Sequence, residues 1–248
     1  MPAPPDNLES CRLALFLDVD GTLLDIEDHP AGVHADPALV ALLSRLAAGL
    51  GGALSLISGR TVADLDRIFA PARFAAAGAH GAELRLHPED AVRCSESSLP
   101  PSILERMQTF ARDEPGLLLE EKRGGVSLHY RRAPRLEEAC THFVQRLLPE
   151  IDKDFRVIAG KMVLELAPIE HNKGAAISEM MQRDPFAGRR AVFVGDDVTD
   201  EDGFRAVNSL DGVTIRVGGH RGSEAKYSLA DVAAVRRWLR SIEQGISH

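Results

Sequence analysis

Residues 13–22 read LALFLDVDGT, and this stretch decides the fold. Its first five residues form a short continuous apolar run, which is typical of a strand buried on both faces of a parallel sheet. The remaining five begin with two carboxylates two residues apart, Asp18 and Asp20. Open α/β sheets bind their ligands beyond the carboxyl ends of their strands, so the stretch predicts a functional site directly after the first strand.

The segments on either side of the chain's middle alternate between helical and buried-strand patterns. Helical spacing of apolar residues predicts helices over residues 37–50, 62–69, 173–181, 200–207 and 232–239. Short apolar runs predict further strands over residues 53–57, 191–194 and 213–217. Because strands and helices alternate at both ends, we predict one doubly wound α/β domain with a mostly parallel sheet.

The middle of the chain has a different pattern, in which paired strands follow helices. The predicted helices span residues 102–112 and 135–148, and the predicted strands span residues 117–120, 126–130, 155–158 and 162–166. This arrangement indicates an inserted α+β module with its own sheet. We therefore predict a core domain formed by residues 1–85 and 168–248, and a substrate-specificity cap formed by residues 86–167.

Composition limits the classes of partner. The chain has 248 residues, 44% of them hydrophobic, and a net charge of −8, which argues against nucleic acid as a partner. It has no signal-peptide pattern and no apolar run of membrane-spanning length, so we expect a cytoplasmic protein without a membrane partner. Its cysteines, Cys11, Cys94 and Cys140, lack metal-site spacing, and we expect buried free thiols. A monomer or weak oligomer is expected.

The residues after the first predicted strand suit phosphate chemistry. Residues two apart on extended backbone point the same way, so Asp18 and Asp20 can face one pocket. Gly21 allows a sharp turn, and Thr22 with nearby backbone N–H groups can hold phosphate oxygens. Two carboxylates repel each other and a phosphate, and Mg²⁺ would remove that conflict. The alternative is an ordinary Asp-Gly turn at a strand end.

A second acidic run, GDDVTDED at residues 195–202, also follows a predicted buried strand. Thr199 is the expected N-cap of the next helix, and acids in the first helical turn, such as Asp200, interact favourably with the helix dipole. Asp196 and Asp197 precede that cap, where a helix needs no acid. They are therefore the better candidates for metal ligands.

Cationic and hydroxyl groups stand at two other element boundaries. Ser58 and Gly59 follow the second predicted strand and offer a hydroxyl and an N–H to a phosphate oxygen, although Ser-Gly is also a common turn. Arg60 either contacts the substrate or pairs with a nearby acid. Lys173 begins a predicted helix, where the dipole is already positive, and this unfavourable position indicates a functional ammonium.

These elements in this order resemble the phosphatases of the haloacid dehalogenase superfamily. The resemblance implies that Asp18 is the nucleophile, that Asp20 is the general acid and base, and that Ser58 and Lys173 bind the transferring phosphoryl group. It also implies a bound Mg²⁺.

The same resemblance implies a set of metal ligands. They would be Asp18, the backbone carbonyl of Asp20, and an acidic residue of the last run, first of all Asp196. Asp197 and Asp200 are alternatives to Asp196 as ligands, or they form hydrogen bonds that orient the ligands without contacting the metal.

Three segments of the predicted cap resemble trehalose-6-phosphate phosphatases. They are LEEKR at residues 119–123, VSLHYR at residues 126–131 and GKMVLELAP at residues 160–168. The acidic run at residues 195–202 is similar to that family over its full length. This resemblance implies a small sugar-phosphate substrate, trehalose 6-phosphate, whose hydrolysis is the second step of trehalose synthesis.

In that family, cap residues bind the sugar hydroxyls, and the matching positions are Glu120, Lys122 and Glu165. Carboxylate acceptors and ammonium donors read hydroxyls through charge-assisted hydrogen bonds. The alternative for Glu120 and Lys122 is a run of charged side chains that is exposed to solvent and contacts no ligand. A shift by one residue would replace them with Glu121 and Arg123.

Other readings remain open at this stage. A different capped sugar-phosphate phosphatase or a phosphomutase would share the same core residues. A non-catalytic sugar-phosphate sensor would not need the intact set of Asp18, Asp20 and Lys173. His129 lies on an alternating strand and is interpreted as a structural histidine.

Overall fold

Strand β1 (Leu13–Leu17) lies in the middle of the main sheet, and all five of its residues are buried. It pairs in parallel with β10 (Arg190–Gly195) on one side and with β2 (Leu54–Ile57) on the other. An apolar run without alternation is what a strand covered on both faces requires. The opening stretch of the sequence therefore forms the central strand, as predicted.

The structure is a computed structural model that describes residues 1–5, 12–26, 33–95, 99–122, 124–151, 153–160, 162–219 and 222–246. The chain forms two compact units. We call residues 1–93 with 172–248 the core unit, and residues 94–171 the cap unit. The division falls several residues later than the predicted boundaries. At the first of them, a short strand, Arg93–Cys94, continues the core sheet beyond residue 85.

The core unit has an eight-stranded sheet. Its spatial order is β12 (Tyr227–Leu229), β11 (Val213–Val217), β10, β1, β2, β3 (Ala75–Gly78), β4 (Glu83–Arg85) and β5 (Arg93–Cys94). The strands from β12 to β3 are parallel, and β4 pairs with β3 in the antiparallel direction. The predicted fold class, a doubly wound and mostly parallel α/β core with an inserted α+β cap, is confirmed.

Five helices accompany this sheet. They are α1 (Pro37–Gly49), α2 (Val62–Ile68), α5 (Lys173–Met180), α6 (Glu201–Ser209) and α7 (Val232–Ile246). Helix α1 begins where the sequence indicates, because the Asp36 side chain accepts the Leu39 N–H at 2.9 Å and a proline follows it. Helix α7 continues beyond its predicted end at residue 239.

The cap unit has its own sheet and its own core. Its helices are α3 (Pro101–Asp113) and α4 (Glu137–Ile151), and its strands are β6 (Leu118–Lys122), β7 (Gly125–His129), β8 (Phe155–Gly160) and β9 (Val163–Pro168). The strands are antiparallel in the order β6-β7-β9-β8. Met107, Val144 and Leu166 are among the buried residues of a core distinct from that of the core unit.

The described residues bear on the expected absence of membrane-spanning segments and on the state of the cysteines. Among the described residues, no helix combines the length and the apolarity that a membrane span needs. Cys140 is a buried free thiol, and Cys94 is half-buried. Cys11 lies outside the described residues.

Candidate active site

Three adjacent parallel strands end at one edge of the core sheet. Asp18 follows β1, Ser58 follows β2, and the run that begins at Gly195 follows β10. Because parallel strands place their carboxyl ends at the same edge, the three polar segments of the sequence converge there. The sheet order alone therefore explains why residues far apart in the chain share one site.

Asp18 is buried and contacts the ammonium of Lys173. The Lys173 Nζ donates to Asp18 Oδ1 at 2.7 Å and to Asp200 Oδ1 at 2.5 Å, and the lysine is only 3% exposed. Gly174 allows this placement of helix α5, because a Cβ at that position would lie 2.3 Å from the carbonyl oxygen of Asp202. The helix start that looked unfavourable for a cation thus carries the ammonium into a pair of carboxylates.

Burial and mutual repulsion change the acidity of this cluster. Burial raises the pKa of Asp18 well above its usual range, the Lys173 charge opposes that shift, and Asp200 and Asp196 add to it. Burial and the charge of Asp200 raise the pKa of Asp196 to about 6. Burial lowers the pKa of Lys173, but the two carboxylates outweigh it, so the pKa lies above its ordinary value and the ammonium stays charged.

Asp200 is fully buried and organises the acidic loop. Its Oδ2 accepts the N–H of Asp196 at 2.9 Å and the N–H of Asp197 at 2.8 Å. The prediction of Thr199 as N-cap is wrong, because Asp197 caps a 3₁₀ turn over Val198–Asp200 that precedes α6. Asp200 is consequently more than a helix-dipole acid, since it binds both the loop backbone and Lys173.

Asp196 lies directly against the loop that follows β1. Gly21 has a φ of +81°, and a Cβ there would lie 2.1 Å from Asp196 Oδ2, so any other residue would be strained and would displace the Asp196 carboxylate. The Thr22 hydroxyl donates to Asp196 Oδ1 at 3.4 Å. Carboxylate oxygens of Asp18, Asp196 and Asp200 all lie within 4.8 Å of one another, a grouping that can hold a metal ion.

Arg60 forms a two-point ion pair with Asp20. Its Nε donates to Asp20 Oδ2 at 2.6 Å and its Nη2 donates to Asp20 Oδ1 at 2.7 Å. This hydrogen bonding raises the pKa of the guanidinium. Of the two roles expected for Arg60, the structure displays the pairing with an acid. The bidentate contact fixes the orientation of the Asp20 carboxylate.

Ser58 and Gly59 form a tightly held loop after β2. Ser58 is 2% exposed, and its Oγ accepts the Arg60 N–H at 3.1 Å. Gly59 lies close to His80, whose Nε2 would be 2.7 Å from a Cβ at that position. The loop brings the Ser58 hydroxyl to the same sheet edge as Asp18.

Two buried charged residues hold the loops of the site, and Arg216 was not among the residues predicted from the sequence. The buried Glu83 carboxylate accepts the Val62 N–H at 2.7 Å at the start of α2. Arg216 donates from Nη1 to the Asp197 carbonyl at 3.1 Å and to Glu201 Oε1 at 3.2 Å. Arg216 interrupts the apolar strand VTIRV, and that interruption is the signal that identifies it.

Two of the cap residues singled out by the sequence lie on a single face of the cap sheet. Glu120 and Glu165 both stand opposite Ser127, on the two neighbouring strands. Glu121 points the other way and accepts a hydrogen bond from Gln108 of α3 at 2.7 Å. The register therefore separates Glu120 from Glu121. The side chain of Lys122 and the whole of residue 123 lie outside the described part of the chain.

Comparison with known proteins shows the family. The model of the trehalose-phosphatase family matches residues 16–233. The chain belongs to the trehalose-phosphatase family. A "probable trehalose-phosphate phosphatase" of Sinorhizobium fredii is 41% identical over 225 residues, covering 90% of this chain and 84% of that protein. A trehalose-6-phosphate phosphatase of Escherichia coli is 39% identical over 234 residues, covering 94% of this chain and 87% of that protein.

Solved structures of the trehalose-phosphatase family have the same fold. A crystal structure of a trehalose-6-phosphate phosphatase related protein matches with a TM-score of 0.73 and 27% identity, over 94% of this chain and 97% of that one. The C-terminal domain of the C. albicans trehalose-6-phosphate phosphatase matches with a TM-score of 0.78 and 21% identity, over 99% and 98% of the two chains. The family resemblance stated from the sequence is confirmed.

Proposed function

We propose that this protein hydrolyses trehalose 6-phosphate to trehalose and phosphate through a covalent intermediate on Asp18. The observation that carries the proposal is the buried contact of the Lys173 ammonium with Asp18 and Asp200, in a chain of the trehalose-phosphatase family. A buried ammonium beside a carboxylate is a suitable environment for an anionic phosphoryl group. The reaction would form the second step of trehalose synthesis, in the cytoplasm.

Asp18 and Asp20 divide the chemistry between them. The Asp18 carboxylate attacks phosphorus and displaces the sugar oxygen, to which Asp20 gives a proton. Asp20 then takes a proton from water, and the resulting nucleophile hydrolyses the aspartyl-phosphate. The two-point ion pair with Arg60 supports this assignment, because it fixes the orientation of the Asp20 carboxylate.

Several neighbouring groups bind the phosphoryl oxygens. The Lys173 ammonium offsets the negative charge that gathers on these oxygens during transfer. The Ser58 hydroxyl, the Gly59 N–H and the Thr22 hydroxyl are the hydrogen-bond donors in our proposal. The buried position of Ser58 and Thr22 supports it, since donors removed from water bind an anion more strongly.

The acidic cluster fits a divalent cation, and we propose Mg²⁺. The carboxylates of Asp18, Asp196 and Asp200 lie close together, and among the described residues of this cluster Lys173 supplies one positive charge, which supports a site for a further cation. Asp18, Asp196 and the backbone carbonyl of Asp20 would hold the ion, and Asp200 would support them through its bonds to the loop. When bound, Mg²⁺ would supply further stabilisation of the phosphoryl charge.

The cap residues Glu120, Lys122 and Glu165 are proposed to bind sugar hydroxyls. Glu120 and Glu165 occupy one face of the cap sheet, with Ser127 between them. A disaccharide presents many hydroxyls, and two carboxylates on one face can accept several of their protons. This arrangement favours a sugar phosphate over a simple phosphate ester.

A panel of phosphate esters tests the proposed function. Phosphate release with Mg²⁺ would be measured for trehalose 6-phosphate, glucose 6-phosphate and p-nitrophenyl phosphate, with and without a chelator. We expect trehalose 6-phosphate to be the preferred substrate and chelation to stop the reaction. Equal rates on glucose 6-phosphate would instead indicate another sugar-phosphate phosphatase. Isomerisation without phosphate release would indicate a phosphomutase, and binding without turnover would indicate a sensor.

A further inference from the structure

The middle strand β7 carries two polar residues on the same face as the cap carboxylates. Ser127 stands opposite Glu120 on β6 and opposite Glu165 on β9. Residues directly opposite each other in an antiparallel sheet share a face, and so do residues two apart on one strand. His129 therefore lies on this face as well.

Each of the two β7 side chains bonds to a different carboxylate. The Ser127 hydroxyl donates to Glu165 Oε2 at 3.1 Å. The His129 Nε2 lies 2.9 Å from Glu120 Oε2. Strand β7 thus bonds to one carboxylate on each neighbouring strand, Glu120 on β6 and Glu165 on β9.

These contacts are not needed by the cap core. The core packs against the opposite face of the sheet, where Val126 and Leu128 of the same strand are fully buried. The side chains of His129 and Glu120 remain 33% and 52% exposed, so their contact buries little surface. Ser127 is fully buried, so its bond to Glu165 also satisfies a buried hydroxyl, whereas burial does not explain the bond between His129 and Glu120.

Orientation of the carboxylates does explain the arrangement. A free glutamate side chain samples several rotamers, and binding a ligand then costs the entropy of fixing one of them. A hydrogen bond that fixes the rotamer beforehand lowers this cost and improves affinity. Ser127 and His129 provide such a bond to each carboxylate.

We propose that Ser127 and His129 are positioning residues that hold Glu165 and Glu120 ready to accept sugar hydroxyls. Through them, strand β7 sets the preference of the enzyme for a sugar phosphate over a phosphate ester that has no sugar. The inference rests on the proposed function and deepens it. It also replaces the interpretation of His129 as a merely structural histidine.

The experiment compares two substrates in variants of each residue. Ser127→Ala and His129→Ala would be assayed on trehalose 6-phosphate and on p-nitrophenyl phosphate. We expect kcat/KM for the sugar phosphate to fall about fivefold relative to kcat/KM for p-nitrophenyl phosphate, which is the size of effect that one lost hydrogen bond produces. The loss should appear mainly in KM, because the bond acts on binding rather than on chemistry.

Rescue variants and matched controls separate positioning from folding. Ser127→Thr keeps the hydroxyl and His129→Gln keeps a donor, so both should recover most of the selectivity that the alanine variants lose. Ser102→Ala on α3 and His142→Gln on α4 change exposed residues of the same unit and should leave both activities unchanged. Thermal unfolding of every variant shows whether the fold is intact.

The outcomes distinguish this inference from the proposed function. A selectivity ratio within twofold of wild type in both alanine variants would overturn the inference, as would a His129→Gln protein no better than His129→Ala. If the wild-type protein prefers another sugar phosphate, the proposed substrate is wrong, and the same comparison is made with the preferred ester. If it prefers no sugar phosphate at all, both proposals fail.

Discussion

At the scale of the residue, the decisive contact is the ammonium of Lys173 between two buried carboxylates. The raised pKa of Asp18 means that its ionised form is disfavoured in the folded protein when no cation is bound. A carboxyl group whose pKa is higher in the folded state destabilises the fold at neutral pH. The site therefore uses part of the protein's stability to keep the charge of Asp18, the proposed nucleophile, out of water.

The variant Asp18→Asn tests both the stability cost of the buried Asp18 charge and the assignment of Asp18 as the nucleophile. We expect turnover of every phosphate ester to fall at least about 10³-fold, because the amide cannot form the covalent intermediate. In the presence of chelator, the midpoint of thermal unfolding should be equal to or higher than that of wild type, since one repelling charge has been removed. A clearly active variant would contradict the assignment of the nucleophile.

Arg60 acts through Asp20 if its bidentate contact persists during turnover. Arg60→Ala should then lower kcat on trehalose 6-phosphate about tenfold to a hundredfold, since general acid and base catalysis depends on a positioned carboxylate. Release of p-nitrophenolate in the first turnover should fall less, because this leaving group needs no proton. Rapid-mixing measurement of both substrates distinguishes the two roles. Equal losses on both would indicate that Arg60 binds the phosphoryl group itself.

At the scale of the element, the boundaries that the sequence predicts best are those with a local chemical signal. Helix α1 has both an N-cap and a proline at its start, and β1 is a continuous apolar run, and both are as predicted. Strand β3 was missed because its sequence, AAAG, lacks the β-branched and aromatic residues that favour strands. It is a strand only because it lies parallel to β2 inside the sheet.

In the acidic loop of the candidate site, the sequence predicted the presence of the loop but not its helix-capping residue. The sequence indicated a metal-binding function for the run that begins at Asp196, but it made Thr199 the helix cap. The capping residue is Asp197, because Asp200 turns back to bond to the preceding backbone N–H groups. This capping box is local and was overlooked in the sequence, whereas the contact of Asp200 with Lys173 is long-range and has no local signal.

Asp66 of helix α2 couples this element to the sheet edge in a pH-dependent way. Partial burial raises the pKa of Asp66, but ion pairs with Arg85 and Arg73 outweigh it and bring the pKa below the ordinary 3.8. A carboxyl whose pKa is lowered by folding stabilises the protein above its unfolded pKa. This contribution is lost as the pH falls through the lower, folded value.

The variant Asp66→Asn should therefore be less stable at neutral pH. Arg85 is only 1% exposed, so loss of its charged partner should cost about 2 kcal/mol or more. The difference from wild type should shrink as the pH falls below about 4, where the wild-type carboxylate also becomes protonated. Urea unfolding at several pH values measures this difference in the free energy of unfolding. A constant difference across this range would contradict the ionic origin of the effect.

At the scale of the whole molecule, the chain forms two units with separate cores. The residues proposed for phosphoryl transfer belong to the core unit, and the residues proposed for sugar binding belong to the cap unit. The prediction of a core and a cap rests on the change in the pattern of apolar residues between the two parts of the sequence. Their exact limits depend on short strands such as β5, which has only two residues and no pattern of its own.

Separate cores predict that each unit opens independently. Met107 in the cap core and Met180 in the core unit are both fully buried, so replacement of either by alanine should cost about 2–5 kcal/mol. Native-state hydrogen exchange should then show faster exchange within residues 94–171 for Met107→Ala, with protection of β1 and β10 unchanged. Met180→Ala should do the reverse.

The pair of methionine variants makes this test a matched one, because the same side chain is removed from each core. If either variant lowers the protection of both units equally, the protein unfolds as one cooperative structure and the division is only geometric. If the units respond separately, the cap can be altered without loss of the phosphoryl-transfer site. Specificity could then change through the cap sheet while Asp18, Lys173 and Asp200 stay in place.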